Sequence, residues 1–249
     1  MNVGLYQSAA SLSALEKWQD SVSQNITSAQ VIGYRKRVVN FSAQMAGELQ
    51  YGQKSASGRG ESTGMVFPAA TGSINFKHAE SQPTRGEFDV AIMGDGYFEV
   101  RQPDGTLAYT RNGEFRLGAD RILKSSHGFE VLTTDGEPVV LPQAAGPLII
   151  TENGTLMQNG VPRGRLAVKD FADEAALYPL DGGLFGVRPG VEAEPVENAS
   201  VQQGYLEGSN VASLREMVDL VLISRAYEAN QRIISSLDQQ MQKTLDALG

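Results

Sequence analysis

The chain of 249 residues contains no cysteine, only two histidines and no long apolar run. The lack of cysteine excludes disulfide bonds, thiolate zinc sites and a cysteine nucleophile. No stretch approaches the roughly 18–20 consecutive apolar residues that cross a bilayer, so we expect no membrane insertion. Residues 1–7 lack the basic start and apolar core of a secretory signal, so we expect no cleaved signal peptide.

Residue types that carry catalysis or bind cofactors are sparse and scattered. The two histidines, His78 and His127, lie far apart in the sequence and show no metal-binding spacing. The carboxylates of Asp170, Asp173 and Glu174 are too few for a calcium loop. No nucleophile elbow and no Walker loop is present. The sequence therefore predicts no enzyme activity, no catalytic residue, no cofactor and no metal.

Basic residues are outnumbered by acidic ones. The chain has 21 Lys and Arg against 29 Asp and Glu, which gives a net charge of −8. This balance argues against a nucleic-acid partner, because such partners are bound largely through a basic surface. We interpret the run Arg35-Lys36-Arg37 as solvated charge that complements the dipole at the end of a helix.

Glycine and proline are rare at both ends of the chain. All ten prolines lie between Pro68 and Pro195, and only three of the 27 glycines fall within residues 1–40 or 209–249. Because both residues weaken helices and mark turns, the ends are predicted to be helical and the middle to be β-rich. Turn pairs such as Asp135-Gly136 recur at intervals of roughly 8–12 residues, which favours an antiparallel barrel or sandwich.

The N-terminal segment carries a narrow apolar seam with an average step of 3.5 residues, which predicts a helix that ends near Gly33. One interpretation is an amphipathic helix that packs on its own domain. The other is a helix that pairs with a second helix and contributes to an assembly interface. The residues of this seam are Leu5, Leu12, Leu15, Val22 and Ile26.

The C-terminal segment has neither glycine nor proline from Ser213 to Leu248, and Ser213 with Glu216 has the spacing of a capping box. Its apolar residues recur mostly every four positions, which predicts one long helix with a continuous stripe. This helix either lies across the β-rich domain or pairs with the N-terminal helix. The stripe, predicted as an assembly interface, consists of Leu214, Val218, Leu222, Ala226, Ala229, Ile233, Leu237, Met241, Leu245 and Leu248.

The predicted fold class is α+β, and we favour pairing of the two end helices because two narrow stripes at opposite ends of a chain can complete each other. Residues 1–34 and 205–249 are then one discontinuous module of coiled-coil type. Residues 35–75, which contain few large apolar groups from 42 onward, are predicted to be an extended connecting arm. Residues 76–204 form the predicted β-rich domain.

Several segments resemble one known family. The runs QGYLEGSNV at 203–211 and SRAYEAN at 224–230 closely resemble the C-terminal motif of bacterial flagellar rod and hook proteins. The run DVAIMGDGYF at 89–98 is similar to a central segment of the same family. The motif positions present in this sequence are Asn25, Gly33, Tyr34, Gly204, Glu207, Ser209, Asn210, Val211, Arg225, Ala226, Tyr227 and Glu228.

The resemblance implies a non-enzymatic subunit of the axial structure of the flagellum, in the periplasmic part of the basal body. It implies export by the flagellar secretion apparatus without signal cleavage, and helical assembly with other rod and hook subunits. The run 206–211 is most similar to proximal-rod members, whereas 225–228 is equally similar to distal-rod members. The alternatives are a distal-rod or hook-type subunit and, from another class, a secreted β-domain carbohydrate-binding protein or hydrolase.

Overall fold

The computed structural model describes residues 3–50, 62–142, 146–196 and 199–247, and the fold is α+β. A long helix stands at each end, α1 at Val3–Thr27 and α2 at Ser213–Asp246. Short strands and two 3₁₀ turns, Glu174–Ala176 and Asp181–Gly183, lie between them. The defined strand registers are antiparallel. The predicted α+β class, with a helix at each end and mainly antiparallel sheets, is confirmed.

Two strands are long and the others are short. The strands are β1 (Arg37–Gln50), β2 (Ser62–Ile74), β3 (Ser81–Pro83), β4 (Val90–Ile92), β5 (Tyr97–Arg101), β6 (Leu107–Thr110), β7 (Phe115–Leu117), β8 (Leu123–Ser125), β9 (Glu130–Val131), β10 (Leu148–Ile150), β11 (Thr155–Gln158), β12 (Val161–Arg165), β13 (Val168–Asp170), β14 (Leu177–Pro179), β15 (Leu184–Val187), β16 (Glu194–Pro195), β17 (Val201–Gln203) and β18 (Tyr205–Glu207).

The chain divides into two compact units. The helical unit consists of Met1–Thr27, Arg37–Ser73 and Ala212–Gly249, and the β unit of Ser28–Lys36 and Ile74–Val211. Strands β1 and β2 pair as a two-stranded ribbon, so much of the segment predicted to be a connecting arm is a ribbon beside the helices. The predicted domain boundaries stay a prediction. Residues 51–61 of the arm, and Leu248 of the stripe, lie outside the described residues.

The helical unit is built from α1, α2 and the ribbon. Helix α1 packs against α2 and β1, and the ring of Trp18 meets that of Phe41 edge-on at 5.6 Å. The predicted capping box is wrong, because Ala212 is the N-cap of α2 and no side chain caps it. Helix α1 ends at Thr27, short of Gly33, since the chain turns at Ser28–Val31, where the Val31 N–H bonds to the Ser28 carbonyl at 3.0 Å. Neither described helix has the length and apolar content of a membrane span.

The β unit holds the remaining sheets. The largest follows the order β14-β15-β6-β5-β9-β8-β7, with β13 pairing to both β5 and β16. Strands β10, β11 and β12 form a second sheet, and β4 pairs with β17 and β3 with β18. Gly136, in one of the predicted turn pairs, has a φ of +77°. The finer expectation of a barrel or sandwich stays a prediction.

The core of the β unit has two parts. The larger is mainly aliphatic and includes fully buried Val90, Phe98, Leu123 and Leu156. The smaller is mainly aromatic and contains Tyr97, Tyr109, Phe171, Leu177 and Phe185. These side chains come from strands and from the segments between them, so the sheets are held by a shared apolar interior.

Candidate functional site

Helix α2 has one face that packs against α1. Glu216 and Ile223 are buried on this face, and Tyr227, Asn230, Ile234 and Leu237 are half-buried. Glu216 and Ile223 are seven residues apart, and the following steps alternate between four and three, which is the 3.5-residue repeat of paired helices. We call this face the inner seam.

The two helices run antiparallel. The Asn25 side-chain amide donates to the Glu216 carboxylate at 2.9 Å near the start of α2. Further along, the Tyr227 hydroxyl lies 3.4 Å from the Leu12 carbonyl oxygen. Because α1 has 25 residues and α2 has 34, the end of α2 extends past Val3, the first described residue of α1. Met241 and Leu245 continue the inner seam there and are exposed.

The opposite face of α2 is apolar and open to solvent. Its five large side chains stand at the first, fourth, fifth, eighth and ninth positions of the nine-residue segment 214–222, and each is between 48% and 78% exposed. A stable monomer rarely exposes so contiguous an apolar surface, which is typical of an interaction site. We call this surface the α2 ridge, and its members are Leu214, Met217, Val218, Val221 and Leu222.

The predicted interface residues fall on different faces. In α1, Val22 is buried, and Leu5, Leu12, Leu15 and Ile26 are half-buried. In α2, Ala226 and Leu237 are half-buried, whereas the remaining described residues of the stripe are exposed. These exposed residues are Leu214, Val218, Leu222, Ala229, Ile233, Met241 and Leu245. Their assignment to an assembly interface stays a prediction.

The geometry of the helix explains why the predicted stripe divides in this way. A step of four residues on a helix with 3.6 residues per turn rotates the side chain by about 40°. Repeated steps of four from Leu214 therefore wind around α2. The stripe begins on the ridge and reaches the side facing α1 near Leu237. Sequence periodicity detected the helix correctly and merged two surfaces, one that faces α1 and one that is exposed to solvent.

Asn25, a motif residue, anchors the end of α1. Its amide nitrogen also donates to the Arg37 carbonyl, and its amide oxygen accepts from the Arg37 N–H, both at 2.8 Å. Asn25 and Glu216 are each 1% exposed. A buried polar pair of this kind stabilises the fold only while both partners are present, because a buried group left unpaired is costly. This pair therefore fixes the start of β1 and the start of α2 against α1.

The motif residue Glu207 lies in a buried charge cluster in the β unit, together with two arginines outside the motif. The Glu207 carboxylate, at the end of β18, lies 2.8 Å from Arg35 and 3.3 Å from Arg111, and it accepts the Ala79 N–H at 2.9 Å. All three charged side chains are at most 2% exposed. The guanidinium of Arg111 stacks over the Tyr97 ring, 5.1 Å from its centroid. We call Arg35, Arg111 and Glu207 the charge cluster.

The electrostatics of the charge cluster depend on Glu207. Burial lowers the pKa of Arg111, and the Glu207 carboxylate acts in the opposite direction. Arg35 also lowers this pKa, because two like charges share one carboxylate. A buried ion pair of this kind does not by itself raise stability, but loss of one partner leaves an uncompensated charge. Glu207 is therefore required at the point where residues 28–36, the connector that follows α1, meet residues 207–212, the connector that leads into α2.

Gly33 and Asn210 complete this junction. The Gly33 N–H donates to the Glu207 carbonyl at 2.8 Å. Gly33 has a φ of +70°, and a Cβ there would lie 2.6 Å from the Asn112 nitrogen. The Asn210 side chain accepts the Lys36 N–H at 2.6 Å and donates to the carbonyls of Asn75 and Lys77, each at 2.8 Å.

The other motif residues have local or exposed positions. The Gly204 carbonyl accepts the N–H groups of Thr84 and Arg85, and the Ser209 hydroxyl accepts the Val211 N–H at 3.2 Å. The Tyr34 carbonyl lies 3.4 Å from the Asn210 nitrogen. Arg225 and Glu228 are exposed on α2. The motif thus divides into residues that join connectors and residues that face solvent.

Sequence reasoning missed the role of Arg35. It interpreted Arg35 as one of three solvated charges, and this was wrong, because the Arg35 side chain is fully buried beside Glu207. The nearest signal was the family motif, which contains Glu207, an acidic residue that would need a buried basic partner. Sequence alone does not say which arginine that partner is.

The described ranges contain no group of three or more acidic or histidine side chains arranged to hold a metal ion. His78 contacts Asp95 at 3.0 Å, with both side chains largely exposed. The buried polar contacts of the described residues are therefore pairs with a structural role. The surface typical of an interaction site is the α2 ridge.

Comparison with known proteins agrees with these motifs. The family profile described as "Flagellar hook protein FlgE/F/G D1 domain" matches residues 91–158, within the β unit. The profile described as "Flagellar basal body rod FlgEFG protein C-terminal" matches residues 202–247, which include Glu207 and most of α2.

Individual relatives match along nearly the whole chain. The flagellar basal-body rod proteins FlgF of Rhizobium meliloti and of Mesorhizobium japonicum are each 30% identical, over 100% of this chain and 99% of their own length. The flagellar basal-body rod protein FlgG of Agrobacterium fabrum is 28% identical, over 93% of this chain and 94% of its own. The chain belongs to the family of bacterial flagellar basal-body rod proteins, of which FlgF and FlgG are members. The predicted resemblance is confirmed.

Proposed function

We propose that this chain is a structural, non-enzymatic subunit of the bacterial flagellar rod and polymerises through its terminal helices into the axial drive shaft used in motility. The observation that carries this proposal is the α2 ridge, which presents five large apolar side chains to solvent. Side chains of this size each gain roughly 1.5–3 kcal/mol when they are fully buried. Neighbouring subunits supply the surface that buries them.

The inner seam of α2 and the facing side of α1 pair as a coiled coil. The 3.5-residue repeat of the seam and the antiparallel contacts at Glu216 and Tyr227 support this pairing. Asn25 and Glu216 are a polar pair in an otherwise apolar contact, and such pairs fix the register of paired helices. The pairing stabilises one arrangement of α1 and α2, which keeps the α2 ridge turned outward.

The partners are other rod and hook subunits, and the flagellar export apparatus delivers the chain without cleavage of a signal peptide. The subunit resides in the periplasmic part of the basal body. We place it with the proximal-rod protein FlgF because two FlgF relatives align from end to end at 30% identity. Complementation separates the subtypes, since the chain should restore rod assembly in cells that lack FlgF and leave cells that lack FlgG unassembled.

The test of the assembly role places a charge at two exposed apolar positions of α2, Leu222 in the ridge and Ile233 beyond it. Leu222→Asp and Ile233→Asp should abolish incorporation into basal bodies and motility, because a carboxylate cannot be buried unpaired against a neighbour. Gln231→Asp is the matched control, since Gln231 is exposed beyond the ridge on another side of the same helix. Normal motility of both the Leu222 and the Ile233 variant, at normal protein levels, would contradict the proposal.

A further inference from the structure

The helical unit has a second exposed apolar surface, on the ribbon and the start of α1. Tyr6, Phe41, Met45 and Val66 are 54%, 51%, 71% and 44% exposed. The Gln7 side-chain amide donates to the Val66 carbonyl at 3.1 Å, which brings this part of α1 to β2. We call these four residues the ribbon patch.

The register of the ribbon places its patch residues on one face. Ser73 Oγ lies 3.5 Å from the Val38 carbonyl oxygen, and Thr71 Oγ1 lies 3.4 Å from the Asn40 carbonyl oxygen. When the same register is continued along the ribbon, Met45 lies opposite Val66. Because side chains alternate between faces along a strand, Phe41 and Met45 share a face. That face is the one that Trp18 contacts.

Helix α1 covers only part of this face. Its contacts include those of Trp18 with Phe41 and of the Lys17 ammonium with the Ala70 carbonyl at 3.3 Å, and Ala70 is buried. Met45 is farther along the strand and remains more exposed than Phe41. The patch is therefore an apolar surface that the chain's own helix leaves incompletely covered.

We infer that the α2 ridge of one subunit docks on the ribbon patch of a second copy of this chain. This inference rests on the proposed rod function and names the two surfaces that meet. The outward face of α1 is a poor complement for the ridge, because Ser13, Glu16, Gln19, Asp20 and Ser23 are exposed on it. The ribbon patch is apolar and exposed, so its chemistry matches that of the ridge.

Symmetry favours contact between unlike surfaces. A ridge that packed on another ridge would be a self-complementary contact, which closes as a dimer. A ridge that packs on a ribbon patch leaves one free ridge and one free patch on the pair. Such a head-to-tail contact repeats and forms a helical filament when the rotation does not close. The ridge-to-patch contact therefore supports a growing rod.

The lack of native cysteine allows a direct test by disulfide crosslinking. Cells that assemble flagella would co-express two full-length copies, one tagged with Met45→Cys and one untagged with Val218→Cys. We expect mild oxidation of isolated basal bodies to give a mixed species of twice the 26.8 kDa chain mass. Replacing Val218→Cys by Gln231→Cys, which is exposed beyond the ridge on another side of the same helix, should abolish that species.

The readouts separate this inference from the proposed function. Basal bodies that contain both copies but give no mixed species would overturn the inference and leave the rod role intact. Val218→Cys copies that crosslink only to one another, or only to a different rod protein, would also overturn it. Absence of both copies from basal bodies, while the wild-type chain is also absent, would instead reject the rod role.

Discussion

The β unit and the helical unit bury their apolar side chains to very different extents. In the β unit, Phe98, Leu123 and Leu156 are fully enclosed by side chains from the same unit. Among the described residues of the helical unit, the buried apolar side chains are Ala14, Val22, Ala70 and Ile223. The same unit exposes the α2 ridge and the ribbon patch.

This difference separates a unit with a complete apolar core from one that leaves large apolar side chains exposed. Each ordered residue costs roughly 1–2 kcal/mol in backbone entropy, which burial must offset. The β unit meets this cost with its own core. The helical unit has few large buried side chains, so contacts with neighbours contribute more to its order. Assembly and completion of the helical fold are thus expected to occur together.

The substitution expected to change the free energy of unfolding most creates a cavity in the core of the β unit. Phe98 is 0% exposed, and its ring meets that of Phe115 at 5.1 Å. Phe98→Ala should lower the free energy of unfolding by about 3–5 kcal/mol. Leu222→Ala, on the ridge, should change it by less than about 0.5 kcal/mol in the monomer. Urea denaturation of dilute protein measures both, and equal losses would show that the ridge is buried without partners.

Removal of the shared carboxylate should have the next largest effect. Glu207→Gln leaves Arg35 and Arg111 buried without an anionic partner, and we expect a loss of about 3–5 kcal/mol in the free energy of unfolding. Glu114→Gln removes the partner of Arg116, whose side chain is 70% exposed, and should cost at most about 1 kcal/mol. A Glu207 variant as stable as the Glu114 variant would show that the charge cluster is not structurally required.

Features that depend on neighbouring residues in the sequence could be predicted. The end helices follow from the absence of Gly and Pro between Ser213 and Leu248, and the hairpins follow from pairs such as Asp135-Gly136. Both signals act within a few residues, so they do not require knowledge of the rest of the fold. The α+β class was therefore accessible from the sequence.

Features that depend on distant residues could not be predicted. Arg35 belongs to a basic run that looks solvated, and its burial depends on Glu207, which lies far along the chain. Glu216 looks like part of a capping box, yet its carboxylate accepts from Asn25. The predicted stripe on α2 crosses two faces, because periodicity identifies an amphipathic helix without saying where its partner ends. The α2 ridge could be located only once the position of α1 was known.

A smaller effect tests the backbone at the junction of the connectors. Gly33→Ala and Gly105→Ala both place a side chain at positive φ, which costs about 1–2 kcal/mol. A Cβ at Gly33 would also lie 2.7 Å from the Arg111 carbonyl carbon, whereas one at Gly105 meets nothing within 4 Å. We therefore expect the Gly33 variant to have the lower melting temperature. Equal melting temperatures would show that the backbone at Arg111 moves aside for the added Cβ without a loss of stability.

The smallest effect appears only at alkaline pH and belongs to the aromatic core of the β unit. Burial, with the nearby Glu99 carboxylate, raises the pKa of Tyr109 from 10.0 to about 12. Burial, followed by Glu174, raises the pKa of Tyr97 as well. The unfolded chain then releases these protons first, so stability that is fully present below pH 10 should fall as the pH rises toward 12. The Tyr97→Phe, Tyr109→Phe double variant should show a shallower fall in the free energy of unfolding over that range, and an unchanged slope would mean that other groups govern alkaline unfolding.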